Sequence, residues 1–203
     1  MPFYCKFFED IIVNKLKNKL RKKLLLKRKK LSKEYIKKSD ELIYQKLILL
    51  EEYKNAKNIF CYVSMNEEVS TINFLRKVLL DNKRLFVPLC LQKGIMEARE
   101  IKNLNELKEG KFGILEPSEK SLKIDINDID FSVIPCISVN KRGYRLGYGG
   151  GYYDKFFENK SLKSTYVICR GKMIYDNIPI ETHDLIFENI LSENFVEKIN
   201  IYF

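Results

Sequence analysis

The chain has few of the residues on which metal and hydrolytic sites commonly depend. It contains one histidine, His183, and no tryptophan in 203 residues. A His-rich zinc site is therefore excluded, and a Ser-His-Asp triad would depend on that one residue. The cysteines are odd in number, form no Cys-x-x-Cys pair and mostly lie in apolar, strand-like runs; they are Cys5, Cys61, Cys90, Cys136 and Cys169. We interpret them as small buried residues of a reducing compartment.

Long apolar runs are also absent. No stretch reaches the roughly 18–20 apolar residues that span a bilayer. The N-terminal residues, which include Glu9 and Asp10, lack a clear apolar run with a cleavage site. These absences predict a cytoplasmic protein without a membrane partner. Neither an internal repeat nor a linker divides the chain, so we expect one domain over residues 1–203. Residues 1–14 form an N-terminal extension that the sequence does not place in this domain.

Basic charge is confined to one segment, although the formal net charge of the chain is +10. Residues 15–38 hold thirteen Lys or Arg and one acidic residue, so the remainder carries about −2. Leucines at every fourth position from Leu16 to Leu24 predict a helix with one apolar stripe, and most of the lysines are then its solvated face. Lys17 and Arg21 share a face beside that stripe. Spacing alone leaves open whether this pair binds a polyanion or only faces water.

Helical and β-rich stretches alternate along the rest of the chain. Ser32 is a plausible N-cap for a helix that runs to about Tyr53, and residues 71–80 return to helical periodicity. Short apolar runs rich in β-formers predict strands at residues 58–64, 84–89, 132–138, 165–169 and 185–191, with an exposed or edge strand at 95–101. This alternation predicts a single-domain α/β layered fold, with a largely parallel sheet flanked by helices and a basic N-terminal helix. In such folds ligands bind at the carboxyl ends of the strands.

Glycine is scarce except in one place, since five of the nine glycines fall within residues 143–151. A β-rich stretch (131–139) precedes this run, and an amphipathic stretch (152–157) follows it. Strand, glycine loop and helix start together form a geometry that holds phosphate groups. Arg145 adds a fixed cation inside the run, and Asp154 stands where a carboxylate could hold Mg²⁺.

Better-known glycine loops do not match this run. No Gly-Lys-Ser/Thr follows it, as a Walker A loop requires, and Tyr152 occupies the place of the last glycine of a Rossmann fingerprint. A glycine-rich hairpin turn is the alternative interpretation. The Arg within the run and the Tyr-Tyr-Asp after it favour a phosphate site over a bare turn.

The segment Arg145-Leu-Gly-Tyr-Gly-Gly-Gly-Tyr-Tyr-Asp154 closely resembles the signature of the 5-formyltetrahydrofolate cyclo-ligases, also called methenyltetrahydrofolate synthetases. Other segments resemble further elements of that family in the same order. They are Lys17-Asn-Lys-Leu-Arg21, Tyr62-Val-Ser-Met-Asn-Glu-Glu68-Val-Ser-Thr71, Phe112-Gly-Ile-Leu-Glu116-Pro117, and Ile178-Pro179 followed by His183-Asp184. Five motifs in order are more specific than any one of them.

The resemblance implies a single α/β domain and a definite reaction. In this family, 5-formyltetrahydrofolate and ATP give 5,10-methenyltetrahydrofolate, ADP and phosphate. ATP phosphorylates the formyl oxygen, N10 of the folate attacks the activated carbon, and phosphate leaves. Positioning and electrostatics should dominate catalysis, because no nucleophilic side chain is required.

The resemblance also implies roles for individual residues. It assigns ATP binding to Lys17, Arg21, Arg145, Gly147, Gly149, Gly150, Gly151, Tyr152 and Tyr153, with Arg145 also catalytic. It assigns Mg²⁺ to Asp154 and, less distinctively, to Asp184, for which a surface or capping role is the alternative. It assigns the folate to Val63, Met65, Glu68, Met96, Glu116, Tyr148, Tyr152 and Tyr153. Glu68 rather than Glu67 would bind the pterin edge; core packing of the methionines and a turn role for Glu116 are the alternatives.

One stretch departs from the family pattern. Residues 166–173 read Tyr-Val-Ile-Cys-Arg-Gly-Lys-Met, where the family usually has Ile-Gly-Leu-Ala-Phe followed by small or polar residues. Arg170 and Lys172 are unexpected there. They either contact the folate tail or ATP, or they are surface residues.

Two other classes of function remain open at this point. One is a nucleic-acid-binding protein that uses the basic segment, although Tyr35 is its only aromatic residue between Lys15 and Lys38. The other is a sugar-phosphate or CoA enzyme on a similar scaffold, since fold does not fix function. We favour a monomeric cyclo-ligase whose partners are the reduced folate and ATP, with no nucleic acid.

Overall fold

The computed structural model describes residues 3–92, 94–110, 113–158 and 164–199, and for residues 3–9 it describes the backbone only. Phe112 of the predicted Phe-Gly-Ile turn and the side chain of Cys5 therefore lie outside the described part. The helices of this part are α1 (Phe3–Lys29), α2 (Lys33–Leu49), α3 (Glu51–Asn55), α4 (Ile72–Leu80) and α5 (Tyr152–Phe157).

The predicted helices are present, and one of them is divided. Ser32 caps α2 as expected, because its hydroxyl oxygen accepts a hydrogen bond from the Tyr35 amide at 3.2 Å. The helix does not continue to Tyr53, however. Leu50 is extended, with φ −62° and ψ 133°, so that the chain leaves α2 and begins the short α3. Helix α1 starts before the predicted basic segment, and residues 3–14, which the sequence left unplaced, form the first part of this helix.

Eight strands form the central sheet in the order β12-β11-β10-β7-β1-β2-β3-β6. The middle five of these, from β11 to β2, pair in parallel, whereas β12, β3 and β6 pair antiparallel at the two ends. The largely parallel sheet is thus confirmed. Its strands are β1 (Asn58–Cys61), β2 (Arg84–Gln92), β3 (Ile95–Ile101), β6 (Lys123–Ile124), β7 (Phe131–Ile134), β10 (Thr165–Ile168), β11 (Asn189–Leu191) and β12 (Val196–Lys198).

Both faces of this sheet are buried, which explains why its strands are continuous apolar runs. Along β1, Phe60 belongs to a core shared with α1 and α5, while Ile59 and Cys61 belong to a second core shared with α2, α3 and α4. Strands β2, β7 and β10 divide their side chains between the two cores in the same alternating way. The chain is therefore one layered α/β unit with helices on each face.

Helix α1 packs on the sheet through a different stripe from the predicted one. Leu16 is 49% exposed, so the prediction that it continues the leucine stripe was wrong. Positions four apart in an α-helix drift by about 40°, which turns Leu16 away from Leu24 by about 80°. Residues spaced by three, then four, then four positions stay on one face of the helix instead. The buried stripe is therefore Lys17, Leu20, Leu24 and Arg28. The stripe therefore has two leucines in its middle and one cationic residue at each end.

The stretch before the glycines is a strand followed by a hairpin, not one strand. After β7 the chain forms β8 (Ser138–Val139), turns at Gly143, and returns as β9 (Arg145–Leu146). The predicted strand at 132–138 thus ends at Ile134. The hairpin carries residues 147–151, here called the glycine loop, back over the carboxyl ends of the strands. A second short pair, β4 (Lys108–Glu109) and β5 (Leu115–Glu116), flanks the sheet.

Candidate active site

A cavity of about 800 Å³ lies at the carboxyl ends of β1, β2 and β7. This is the position that the sequence predicts for a ligand site in an open α/β sheet. The cavity is lined by every predicted site residue except Glu116. These are Lys17, Arg21, Val63, Met65, Glu68, Met96, Arg145, Gly147, Tyr148, Gly149, Gly150, Gly151, Tyr152, Tyr153, Asp154 and Asp184.

Glu116 lies behind the wall of the cavity. Its side chain is buried, and its Oε1 accepts a hydrogen bond from the Cys90 amide at 3.1 Å. Cys90 itself lines the cavity. Glu116 therefore contacts the backbone of β2 at a residue that lines the cavity.

The glycine loop is held against α1. Arg21 donates from Nε to the carbonyl oxygen of Gly147 at 2.8 Å, and its NH1 donates to Asn18 at 2.7 Å. Gly149 has φ +98°, and a Cβ there would lie 3.3 Å from the Arg21 guanidinium carbon. A side chain at Gly149 would thus be strained and would crowd this cation. Burial lowers the pKa of Arg21, but an arginine stays charged at neutral pH.

Helix α5 begins directly after this loop, as predicted, with Gly151 in the left-handed region as its N-cap. It has six residues. A helix this short has a weak dipole. Binding of an anion at the loop must therefore depend on the cationic side chains and the loop amides more than on the helix.

Arg145 is the most constrained cation of the site. Its NH2 lies 2.9 Å from Oδ2 of Asp154, and its guanidinium carbon stands 5.4 Å from the ring centre of Tyr153 and 5.5 Å from that of Phe187. The buried Nε has no hydrogen-bond partner among the described residues. An unsatisfied buried donor costs about 1–3 kcal/mol. Arg145 therefore retains a donor that an incoming anion could use.

Lys17 is not a free cation, because two carboxylates hold its ammonium group. Its Nζ lies 2.5 Å from Oε2 of Glu181 and 2.6 Å from Oδ2 of Asp184. The Glu181 amide in turn donates to Asp184 at 2.8 Å. Sequence analysis picked Asp184 but missed Glu181, although both belong to the segment that follows Pro179.

Ligand atoms of Glu181, His183 and Asp184 all lie within 4.8 Å of one another. Asp154 lines the same cavity beside Arg145. Carboxylate oxygens are the donors that Mg²⁺ prefers. Of the two predicted ligands, Asp184 therefore belongs to a group that could hold a metal ion, together with Glu181 and His183, whereas Asp154 is not part of that group.

Glu68 lies in the loop of residues 62–71 between β1 and α4, here called the Glu68 loop. Its Oε2 accepts a hydrogen bond from the Met65 amide at 2.9 Å. Burial raises the pKa of Glu68, while hydrogen bonds with the Met65 amide and the Tyr148 side chain act against that shift. The Glu68 side chain is partly buried and lines the cavity together with Val63, Met65 and other apolar residues.

Arg28 supports this part of the site, and sequence analysis missed it. Arg28 is buried, and its NH2 donates to the Tyr148 hydroxyl at 2.6 Å. Tyr148 thereby connects α1 to Glu68. No local signal distinguishes Arg28 from the neighbouring lysines, because its partner is 120 residues away in the chain.

Neither Arg170 nor Lys172 lines the cavity. Lys172 is exposed, with its ammonium group 4.2 Å from the ring centre of Tyr35. Arg170 is not a surface residue, because it is buried beneath the Glu68 loop. The interpretation of Arg170 as a surface residue was therefore wrong.

Fold and site together define a class of protein: an α/β enzyme whose strand-end cavity joins a cation-and-glycine subsite to an apolar subsite with one carboxylate. Residues 13–193 match the model of the 5-formyltetrahydrofolate cyclo-ligase family. The chain therefore belongs to that family and is an enzyme of this kind.

Individual relatives agree with this assignment. A probable 5-formyltetrahydrofolate cyclo-ligase of Schizosaccharomyces pombe is 30% identical over 83% of this chain and 90% of its own length. The mouse 5-formyltetrahydrofolate cyclo-ligase is 27% identical over 91% and 97%. The NMR structure of Aquifex aeolicus 5,10-methenyltetrahydrofolate synthetase superposes with a TM-score of 0.80 at 28% identity, covering 92% of this chain and 94% of the other. Among the described residues, each helix is too short or too polar to span a bilayer.

Proposed function

We propose that this enzyme converts 5-formyltetrahydrofolate and ATP into 5,10-methenyltetrahydrofolate, ADP and phosphate. One observation carries the proposal: the cationic glycine loop and the Glu68 pocket open into the same cavity. The terminal phosphoryl group of ATP passes to the formyl oxygen. N10 then attacks the formyl carbon and loses its proton, the carbon–oxygen bond breaks, and phosphate leaves. The enzyme acts as a cytoplasmic monomer on small molecules alone.

The ATP phosphates bind where the cations converge. Lys17, Arg21 and Arg145 surround the glycine loop, whose backbone at Gly147, Gly149, Gly150 and Gly151 can approach an anion closely. We assign the catalytic role to Arg145, because it is a buried cation beside the loop and its Nε has no partner among the described residues. Charge on the transferring phosphoryl group is stabilised best by donors fixed in advance.

Asp154 and Asp184 would hold Mg²⁺, which would neutralise charge on the phosphates. Asp154 now faces Arg145 and Asp184 faces Lys17, so each carboxylate has a protein cation as its present partner. These two pairs keep the acidic groups compensated before the substrates arrive.

The pterin ring binds at the apolar end of the cavity. Glu68 accepts hydrogen bonds from the aminopyrimidine edge, for which a carboxylate offers two oxygens. Val63, Met65, Met96, Tyr148, Tyr152 and Tyr153 form the slot, and Glu116 supports it through Cys90. With both substrates bound in this way, the formyl group would lie between the pterin slot and the glycine loop.

The reaction should depend on ATP and release one phosphate for each ring closed. The test follows methenyltetrahydrofolate by its absorbance, with and without MgATP, and measures phosphate in parallel. Because the formyl oxygen leaves poorly unless phosphorylated, the rate without nucleotide should be near background. Full-rate cyclisation without a nucleotide would contradict the proposal.

The two neighbouring glutamates should behave differently. Glu68→Gln keeps the size of the side chain but removes the charge, so KM for the folate should rise roughly tenfold or more while KM for ATP stays within about twofold, the scale of a lost hydrogen bond to a charged group. Glu67→Gln is the matched control and should change neither, because Glu67 does not line the cavity. A larger effect of the Glu67 variant would show that the wrong carboxylate has been assigned to the pterin.

A further inference from the structure

Arg170 follows β10, is buried and lies outside the cavity. The described hydrogen bonds of its side chain go to two segments, α2 and the Glu68 loop. Its side chain is 1% exposed. Its Nε and NH2 donate to the two carboxylate oxygens of Asp40 on α2 at 2.8 and 2.9 Å. Its NH1 donates to the Glu67 carbonyl at 2.6 Å, and its NH2 also donates to the Glu68 carbonyl at 2.7 Å. A buried guanidinium is costly unless it is paired and hydrogen-bonded, and here it is both.

These contacts hold the backbone of the Glu68 loop at Glu67 and Glu68, the point from which the Glu68 side chain extends. Two consecutive carbonyl groups point at one guanidinium, and Asp40 also accepts a hydrogen bond from the Ser70 amide at 3.2 Å. The loop contains a turn in which Asn66 has φ +43°, a conformation that costs energy for a residue other than glycine. Such a turn persists only where its surroundings hold it in place.

The chain around Arg170 is itself fixed from the other side. The Gly171 amide donates to Glu193 at 2.8 Å, and the Tyr35 hydroxyl donates to the same carboxylate at 2.5 Å. A Cβ at Gly171 would lie 2.4 Å from Asn194, so the backbone packs closely there. Arg170 therefore projects from a rigid base, which is what a group that positions another residue requires.

We propose that Arg170 and Asp40 are positioning residues that hold the Glu68 carboxylate in register with the pterin and thereby set folate affinity. The inference rests on the proposed function and adds residues that touch neither substrate. A carboxylate binds a planar donor edge well only within a narrow range of position, of the order of 0.5 Å. Arg170 fixes that position from behind, through the carbonyl groups of residues 67 and 68.

Arg170→Lys tests this inference. Lysine keeps the charge opposite Asp40 but lacks the planar fork that reaches four acceptors at once. KM for 5-formyltetrahydrofolate should rise roughly tenfold, the equivalent of one hydrogen bond to a charged group, while kcat and KM for ATP stay within about twofold. Asp40→Asn, which retains the shape but loses the charge, should show the same split.

A double variant tests whether Arg170 affects folate binding through Glu68 or only stabilises the fold. If Arg170 acts through Glu68, then adding Arg170→Lys to Glu68→Gln should raise folate KM much less than it does in the wild-type protein. The matched control is Arg84→Lys, which breaks a bidentate arginine pair with Glu100 at the opposite end of β2, away from the cavity. It should leave both KM values unchanged.

Several outcomes would overturn the inference. Folate KM within twofold of wild type in both folded single variants would do so, as would an equal rise in ATP KM or full additivity with Glu68→Gln. Failure of both variants to fold would assign the pair to stability instead. Wild-type protein that forms no methenyltetrahydrofolate would refute the proposed function, which is a separate result from any of these.

Discussion

Replacing Arg145 with alanine should lower kcat by roughly a hundredfold or more, the scale seen when one fixed donor to a developing charge is lost. Arg145 is a buried cation beside the glycine loop, and its Nε has no partner among the described residues. The free donor suits a contact that forms with the transferring phosphoryl group. The rate constant at saturating folate and MgATP measures the effect.

The arginine also fills space between Tyr153 and Phe187, so loss of the side chain could lower stability. Arg145→Lys, which keeps the charge, and a thermal unfolding curve for each variant address this point. Arg142→Ala is the matched control, because Arg142 also lies over a tyrosine ring, that of Tyr144, but is exposed and outside the cavity. Normal turnover in a well-folded Arg145→Ala protein would refute the catalytic role.

Removal of Lys17 or Arg21 should weaken ATP binding by about 1–3 kcal/mol, the scale of a lost hydrogen bond to a charged group. For Lys17→Gln two causes act together. The phosphates lose a cation, and Glu181 and Asp184 lose the ammonium group that now compensates them. Titration of ATP, with Mg²⁺ in excess, gives Kd for each variant without requiring turnover.

The basic segment supplies its own control for this experiment. Lys29, Lys30 and Lys33 are exposed, whereas Lys17 is buried at the cavity. Neutralising all three together should lower the pI but keep ATP affinity within about twofold, because salt screens exposed charges beyond roughly 8–10 Å. If the surface-lysine variant lost as much ATP affinity as the Lys17 and Arg21 variants, the basic segment would be attracting ATP as a diffuse cationic surface.

The glycine loop could be located from sequence because its information is local. Five glycines, an arginine and a following Tyr-Tyr-Asp lie within residues 143–154, and all of this run except Gly143 and Tyr144 lines one cavity. For Lys17 and Arg21, a spacing of four predicted one shared helical face. Their assignment to the site came from the family resemblance, because their partners outside α1 lie 126 or more positions away in the chain.

Arg28 and Arg170 could not be predicted, for the converse reason. Both are charged residues of a type that is usually exposed. Their burial depends on partners 120 and 130 positions away in the chain. A sequence pattern shows which residues share a helical face, but not what packs against that face. The same limit explains Leu16, whose spacing was correct for a helix and whose exposure depends on where α1 meets the sheet.

The order of the strands also bears on how this protein avoids aggregation. Strands at the two ends of the sheet are three and two residues long, and each carries a lysine tied to a glutamate, Lys198 to Glu52 and Lys123 to Glu97. A long flat edge would be a template for cross-β pairing between molecules, whereas short charged edges discourage it. The apolar parallel strands are the most aggregation-prone of the described strands. They lie between two edge strands with which another copy of the chain pairs poorly.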